Sequence, residues 1–221
     1  MTGAARARAP DHDHPRDPAR VRESAGPPAP ARTRDPARKE RILGAAADLV
    51  ASSGYHAVSM ADIGAVAGIT GSGIYRHFAS KSALLVALFD RAIDGLLREE
   101  RQILGEAPGL REALRRLIRG QVEFVIADRE LALVYHNEIN NLPADDRRRL
   151  RRKQRLYLEE WVHLVDELHS GLTDSDARVL VHAAIGAIQS ALFHASGLPD
   201  DRLRALLTTA AESILGCATA S

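Results

Sequence analysis

The stretch GITGSGIYRHFASK, residues 68–81, combines three glycines with hydroxyl, basic and aromatic side chains. Such a mixture occurs both in loops that cradle nucleotide phosphates and in helices that read DNA. A P-loop has lysine directly after its last glycine, whereas Lys81 follows Ser80 here. A dinucleotide-binding loop needs a third glycine where this chain has Arg76. The spacing therefore disfavours a nucleotide loop and favours the edge of a DNA-reading helix.

The residues before this stretch predict two helices. Apolar residues at three- and four-residue steps run from Ile42 to Val50, and Gly54 suits the left-handed position that ends a helix. Ser59 can cap a second, short helix, with Asp62 three residues on completing a capping box.

The stretch itself supplies a turn and a third helix. Gly68 suits the turn, Thr70 can cap a short helix over GSGIYRHF, and Ser80 can cap a long fourth helix. Two short helices joined by a glycine-containing turn form a helix-turn-helix. Gly71 and Gly73 lower helix stability by about 1 kcal/mol each, and they are expected to keep the exposed face low enough to approach a DNA groove.

This pattern resembles the DNA-binding part of the TetR family, the tetracycline-repressor-like regulators of bacterial transcription. The resemblance covers residues 38–90 and departs at Gly64, where alanine is usual, and at Gly73, where alanine, threonine or serine is usual. The matching residues are Asp62, Ile63, Ala67, Gly68, Ile69, Tyr75, His77, Phe78, Ser80, Lys81, Leu84 and Leu85.

The resemblance implies a set of DNA contacts. It assigns phosphate contacts to Tyr75 and Lys81, and it gives Ser59 the task of placing the second helix against the DNA backbone. Hydroxyl and ammonium groups suit phosphates, and arginine is the commonest reader of guanine, which gives Arg76 a base-reading role. A packing or capping role stays open for His77. The full set is Ser59, Thr70, Gly71, Ser72, Tyr75, Arg76, His77 and Lys81.

Composition and periodicity predict an all-α protein. Aromatic residues make up only 4% of the 221 residues, while alanine, leucine and arginine abound, which favours helices over strands. Residues 1–36 hold seven of the ten prolines and few large apolar side chains, so they are expected to form a disordered arm. With the resemblance, residues 37–82 are expected to form a helix-turn-helix DNA-binding domain, and residues 83–218 a larger helical domain for effector binding and dimerisation.

The sequence predicts no catalytic, metal or cofactor site. G-x-S-x-G and H-E-x-x-H motifs are absent. His136 and Glu138 match half of a zinc deaminase signature, but that signature needs two cysteines and Cys217 is the only one. A lone cysteine fits a reducing compartment, and no apolar run suits a membrane span or a secretory signal. A non-enzymatic, cytoplasmic protein is therefore expected.

An effector pocket is expected in the larger domain. The polar cluster YHNEINN at 135–141 offers side chains for a pocket wall, although a partly exposed helix end would carry the same residues. The basic run RRRLRRKQR at 147–155 is either a solvated helix face or a site for a phosphate-bearing effector. Similarity to TetR-like regulators of lipid catabolism points to an acyl-coenzyme A thioester. The predicted pocket residues are Tyr135, Glu138, Asn141, Arg148, Arg152, Tyr157, Trp161 and Gln189.

Small residues in the helix over 173–196 offer a seam for a second copy of the chain. Ala183, Ala187 and Ala191 recur at every fourth position, and Ala184 lies beside them. An ordinary contact within one chain would use such residues equally well. In the TetR family, however, the last two long helices pair with their twins in a four-helix bundle, which favours a homodimer.

The expected function is a ligand-responsive transcription regulator, and specifically a repressor. It would bind a palindromic double-stranded DNA operator as a homodimer and leave it when a small hydrophobic effector binds, with an acyl-coenzyme A as the candidate. The formal net charge of +1 requires the DNA-binding surface to be local. The alternative is a helical small-molecule-binding or thioester-metabolising protein without specific DNA binding.

Overall fold

The computed structural model describes residues 36–217. The predicted arm lies outside the described residues except for Pro36, and its disorder stays a prediction. Over the described range the chain forms nine α-helices and one short 3-10 turn, without a strand, which confirms the all-α prediction. The helices are α1 (Pro36–Ser53), α2 (Met60–Val66), α3 (Gly71–Ile74), α4 (Lys81–Glu106), α5 (Leu110–Ala127), α6 (Arg129–Glu138), α7 (Ala144–Leu168), α8 (Asp174–Phe193) and α9 (Asp200–Ile214), with the 3-10 turn at Ile139–Asn141.

One hydrophobic core runs through the described residues, from Ile42 in α1 to Cys217 after α9. Helix α4 is 26 residues long and packs against α1, α5 and α7, so it joins the short N-terminal helices to the larger helical part. Helix α5 lies at the centre of the larger part, because it packs against α4, α6, α7, α8 and α9. The apolar stripe of α4 is buried at Leu84, Leu85, Leu88 and Ala92.

Most of the predicted side-chain caps are present. The Ala83 N–H donates to Ser80 Oγ at 3.0 Å at the start of α4. Thr173 caps α8 in a full capping box with Asp176, and its hydrogen bonds lower the pKa of that carboxyl. Thr70 stands at the N-cap of α3, but its side chain makes no capping hydrogen bond, so that part of the prediction is wrong.

Helix α3 is shorter than predicted. It ends at Ile74, and the predicted continuation as helix through Phe78 is wrong, because residues 75–77 form a turn. Two glycines among its four residues weaken its helix propensity by about 1 kcal/mol each. The Phe78 N–H still donates to the Ile74 carbonyl at 3.0 Å, and both side chains are buried. Tyr75 and Arg76 therefore lie on a turn rather than on a helix face.

Candidate DNA-binding surface and effector cavity

The predicted capping box fixes the start of α2. The Ser59 N–H donates to Asp62 Oδ2 at 2.8 Å, and the Asp62 N–H donates to Ser59 Oγ at 3.1 Å. Hydrogen bonds from the side chain and backbone of Ser59 lower the pKa of the Asp62 carboxyl. The Ser59 hydroxyl also donates to Asp62 Oδ2 at 2.6 Å, so the hydroxyl proton is already bonded to Asp62 at the start of α2. This geometry is compatible with the predicted role of Ser59 in placing α2.

The turn between α2 and α3 brings two backbone segments close together. Gly68 adopts a φ of +67°, the left-handed conformation that glycine takes without strain. The Ile69 N–H donates to the Gly64 carbonyl at 2.8 Å. A β-carbon at position 64 would lie 3.1 Å from the Ile69 carbonyl oxygen. Glycine at position 64 therefore lets the backbone of α2 approach the Ile69 carbonyl more closely than alanine would.

Gly73 has a different role from the one predicted. It is buried, and a β-carbon there would lie 2.8 Å from Ile69 Cγ2 and 3.0 Å from Thr70 Oγ1. The missing side chain makes room for the turn before α3 and not for a DNA groove. The prediction of a low exposed face is therefore wrong for this glycine.

The side chains predicted to contact DNA lie at the surface of this motif. Tyr75 is 57% exposed, which is high for an aromatic residue. Arg76 follows it on the same turn and is also exposed, while His77 and Lys81 are half-buried. The remaining exposed members of the set are Ser59, Thr70 and Ser72. Apart from Ser59, the hydroxyl, guanidinium and ammonium donors lie on one short segment from Thr70 to Lys81, with Gly71 at the start of α3.

Tyr55, which the sequence reasoning missed, ties this motif to α6. The Lys81 ammonium lies 4.3 Å from the centroid of the Tyr55 ring. The Tyr55 N–H donates to Glu138 Oε1 at 3.4 Å, across 83 residues of sequence. Burial, and next the charge of Glu138, raise the pKa of the Tyr55 hydroxyl. No sequence signal marks this pairing, because its partners lie on elements distant in the chain.

Two joined cavities lie in the larger helical part. A polar cavity of about 310 Å³ opens among α5, α6, α7 and α8. An inner cavity of about 50 Å³ lies deeper, against α4, and has more apolar walls. The two share five lining residues, namely Gln121, Phe124, Tyr135, Gln154 and Gln189.

Three of the predicted pocket residues line these cavities. Tyr135 and Gln189 line both, and Tyr157 lines the inner one. Trp161 is fully buried behind them and packs edge-to-face on Tyr157, with ring centroids 5.9 Å apart. Burial raises the pKa of Tyr135 to about 12, so its hydroxyl is protonated and can donate. The structure thus brings together residues from α6, α7 and α8, as predicted, while their roles stay predictions.

The other predicted pocket residues lie outside both cavities. Asn141 donates a hydrogen bond to Glu138 at the end of α6. Arg148 pairs with Asp145 on the exposed face of α7, and Arg152 is exposed as well. These residues would reach only the part of a ligand that protrudes from the cavity. The polar lining residues that were not among the predicted pocket residues include Gln121, Gln154 and Arg151.

Part of the basic run 147–155 forms ion pairs with α4. Arg149 donates to both oxygens of Asp90, at 2.6 and 2.9 Å. Lys153 bridges Asp90 and Asp94 at 2.8 and 2.7 Å. Burial opposes ionisation of Asp90, but the hydrogen bonds from Arg149 and Lys153 outweigh it and lower the pKa of this carboxyl. Two cations of the run therefore hold α7 against α4 and do not face an effector.

The fold buries only part of the predicted dimer seam. Ala184 and Ala191 are buried in the chain's own core, whereas Ala183 is exposed and Ala187 is half-buried. The outer face of α8 and α9 carries large apolar side chains at the surface. These are Val179, Phe193 and Leu206, exposed by 67%, 56% and 43%.

Three further features of residues 36–217 concern metal binding, membrane spans and the cysteine. These residues contain no cluster of histidine, cysteine, aspartate and glutamate that could hold a metal ion. None of their helices is long and apolar enough to cross a membrane. Burial, and then the charge of Glu212, raise the pKa of the Cys217 thiol to about 11, which disfavours a reactive thiolate.

Both the N-terminal and the C-terminal part of the chain match models of known protein families. Residues 42–88 match the family model of bacterial regulatory proteins, tetR family. Residues 108–192 match the model of the tetracyclin repressor-like C-terminal domain. The two matched segments together cover more than half of the chain.

Individual relatives are transcription regulators. The HTH-type transcriptional repressor KstR2 of Rhodococcus jostii is 29% identical over 121 residues, which are 55% of this chain and 59% of the relative. The HTH-type transcriptional activator FasR of Mycolicibacterium smegmatis is 31% identical over 102 residues, or 46% of this chain and 47% of the relative. The matched segments span about half the length of these two relatives.

Solved structures share the fold. AibR, solved in complex with isovaleryl coenzyme A and operator DNA, superimposes with a TM-score of 0.69 at 19% identity. The superposition covers 78% of this chain and 97% of the AibR chain. Since the two domain models match in order along the sequence, the chain belongs to the TetR family of bacterial regulatory proteins.

Proposed function

We propose that this protein is a ligand-responsive repressor of transcription that binds a palindromic DNA operator as a homodimer. The observation that carries the proposal is the surface between α2 and α4, where Ser72, Tyr75 and Arg76 are exposed beside Lys81. Donors of this kind set the register of a protein on DNA phosphates and read base edges in the major groove. Membership of the TetR family supports the same function.

The outer face of α8 and α9 supports the homodimer. Val179, Phe193 and Leu206 would leave water when a second copy packs on this face, while Ala183 allows the helices to approach closely. A symmetric dimer would place its two recognition segments roughly 34–36 Å apart, one turn of DNA, which matches a palindromic operator.

The cavities support a small amphipathic effector. The polar cavity of about 310 Å³ lies at the lower end of the range for small-molecule sites. An acyl-coenzyme A is the candidate effector, and AibR, which has the same fold, was solved with isovaleryl coenzyme A. The acyl part would enter the cavity, and the nucleotide part would remain outside, within reach of Arg148 and Arg152.

Helix α6 connects the two proposed sites. Tyr135 lines the cavity, and Glu138, one turn further on, accepts the hydrogen bond from the Tyr55 backbone beside Lys81. An effector can release DNA only by binding more tightly to the arrangement that fits the operator badly. The protein would bind its effector without turning it over, and it would act in the bacterial cytoplasm, where the chromosome lies.

Selection of binding sites from random double-stranded DNA tests this proposal. The full-length protein should enrich a palindrome, and Arg76→Ala should relax the preference at one base position in each half-site, by about 1–3 kcal/mol of discrimination. Arg101→Ala, at an exposed position near the end of α4, is the matched control and should enrich the unchanged palindrome. Turnover of acyl thioesters without any enriched sequence would instead identify a thioester-metabolising protein.

A further inference from the structure

Glutamine is concentrated at the cavity. The chain has four glutamines, and Gln121, Gln154 and Gln189, from α5, α7 and α8, line both the polar and the inner cavity. The fourth, Gln102, is exposed on α4 and bonds to Glu106. Three helices thus place the same neutral hydrogen-bonding group on one internal surface.

The hydrogen bonds around these amides leave donors facing the cavity. The Tyr157 hydroxyl donates to Gln121 Oε1 at 3.1 Å, and the Tyr135 hydroxyl donates to Gln154 Oε1 at 3.5 Å. Each tyrosine therefore engages an amide oxygen and leaves the NH2 group of that amide for another acceptor. Within residues 36–217 the Gln189 side chain has no hydrogen-bond partner in the protein.

The polar cavity has a cation but no carboxylate in its walls. Its lining includes Arg151 and contains no aspartate or glutamate. Arg151 donates to the neutral Asn140 side chain at 2.9 Å, so its charge is not cancelled by that contact. Amide donors beside an unneutralised guanidinium favour an oxygen-rich or negatively charged group and disfavour a cation.

The rest of the lining is apolar. Phe124, Val125 and Leu192 line the polar cavity, and Leu96 and Leu158 line the inner one. A ligand that presents oxygen atoms to the amides would have its hydrocarbon part along these side chains. The inner cavity has room for only a short part of such a chain, so most of the hydrocarbon would lie along Phe124 and Leu192.

We propose that the cavity binds the oxygen end of an acyl group, either a free carboxylate or a thioester carbonyl, through the amide NH2 groups of Gln121, Gln154 and Gln189. Arg151 at the polar cavity adds attraction for a carboxylate or for an anionic extension of a thioester. This inference rests on the proposed function only in naming the ligand as the effector. The recognition itself is a property of the cavity and can be measured without DNA.

Titration calorimetry with a matched eight-carbon series tests the inference. The probes are octanoate, octanoyl-coenzyme A and octylamine, added to the full-length protein without DNA. Octanoate, octanoyl-coenzyme A or both should bind, and octylamine should not. Gln189→Glu, which replaces an amide donor by a negative charge, should weaken acyl binding at least about tenfold. Gln189→Met, which keeps the length of the side chain, should weaken it less.

Gln102→Met is the matched control and should leave the binding of every probe unchanged, because Gln102 lies outside the cavity. Binding of octanoate alone would identify a free acid as the source of the acyl group, and binding of octanoyl-coenzyme A alone would identify a thioester. Equal binding of octylamine, no binding of either acyl probe, or wild-type affinity in Gln189→Glu would overturn the inference.

Operator binding by the same samples separates the two proposals. If the protein selects DNA but binds no acyl probe, the proposed regulator function stands and the inference about the cavity fails.

Discussion

The Lys81 ammonium lies over the ring of Tyr55, 4.3 Å from its centroid, while the Tyr55 backbone N–H bonds to Glu138 on α6. A cation over an aromatic face at a partly exposed site gains about 0.5–1 kcal/mol. An aromatic ring thus biases the position of Lys81, which is a predicted phosphate contact. The backbone of that ring is tied to α6, and α6 lines the polar cavity.

Removal of this lysine should weaken DNA binding without regard to sequence. Lys81→Ala is expected to reduce affinity for operator and random DNA alike and to lower the slope of log affinity against log salt by about one. Tyr55→Leu should cause a smaller loss, up to about fivefold, because the lysine stays but loses its preferred position. Fluorescence anisotropy at several salt concentrations measures both effects. An unchanged salt slope in Lys81→Ala would remove this residue from the phosphate contacts.

Two glycines with opposite backbone requirements provide a paired stability test. Gly68 has a φ of +67°, so Gly68→Ala should lower the free energy of unfolding by about 1–2 kcal/mol. Gly44 lies in α1, and a β-carbon there would meet no atom within 4 Å. Gly44→Ala should therefore raise stability, by up to about 1 kcal/mol. Urea denaturation of both variants measures the difference, and stabilisation by Gly68→Ala would contradict the observed turn.

A buried carboxyl on α4 should make stability depend on pH. Glu100 is only 3% exposed, and its Oε1 has no hydrogen-bond partner in the described structure. Burial, and next the charge of Glu160, raise the pKa of Glu100 to about 8, against a smaller opposing effect of Arg101. The folded state therefore holds this proton more tightly than the unfolded state does.

The stability linked to this proton is fully present below the unfolded pKa of about 4.5 and is lost as pH rises through about 8. Glu100→Gln should thus be more stable than wild type at pH 8.5, by a few kcal/mol at most, and the gain should shrink steadily on acidification. Thermal unfolding across this pH range measures it. Glu130→Gln, at an exposed site, is the control, and a pH-independent gain in Glu100→Gln would show that another effect stabilises it.

A charge on the outer face of α8 should prevent the proposed dimer. Ala183→Arg places a guanidinium at an exposed position between the apolar residues Val179 and Phe193, so each chain should still fold. Analytical ultracentrifugation should show monomers, and operator affinity should fall because only one half-site is engaged at a time. Leu156→Arg, at an exposed position on α7, is the matched control and should remain dimeric. A dimeric Ala183→Arg would place the interface elsewhere.

Local signals made much of the fold predictable. The pair Ser59–Asp62 begins α2 as predicted, because the chemistry of a capping box lies within four consecutive residues. The glycine turn at Gly68 is equally local. The end of α3 was predicted too late, since the apolar residues Ile74 and Phe78 keep a helical spacing through the turn that follows it.

Contacts between distant segments could not be predicted in this way. The basic run 147–155 does not show by itself that Arg149 and Lys153 pair with Asp90 and Asp94, because these partners lie on α4. Gln121 gave no signal on α5, because its function as a lining residue depends on the distance to Gln154 and Gln189 on other helices. The spacing of apolar residues in the sequence shows which face of a helix is buried. It does not show which polar residues on different helices come into contact.

The continuous core from Ile42 to Cys217 means that the DNA-reading helices share their unfolding equilibrium with the cavity. Where the chain unfolds cooperatively, a ligand that binds only the folded state adds RT ln(1 + [L]/Kd) to its stability. The effector would then have two opposed influences on repression. It would lower the affinity of each folded dimer for the operator, and it would protect those dimers from unfolding and proteolysis, so the released repressor would persist and rebind once the effector is consumed.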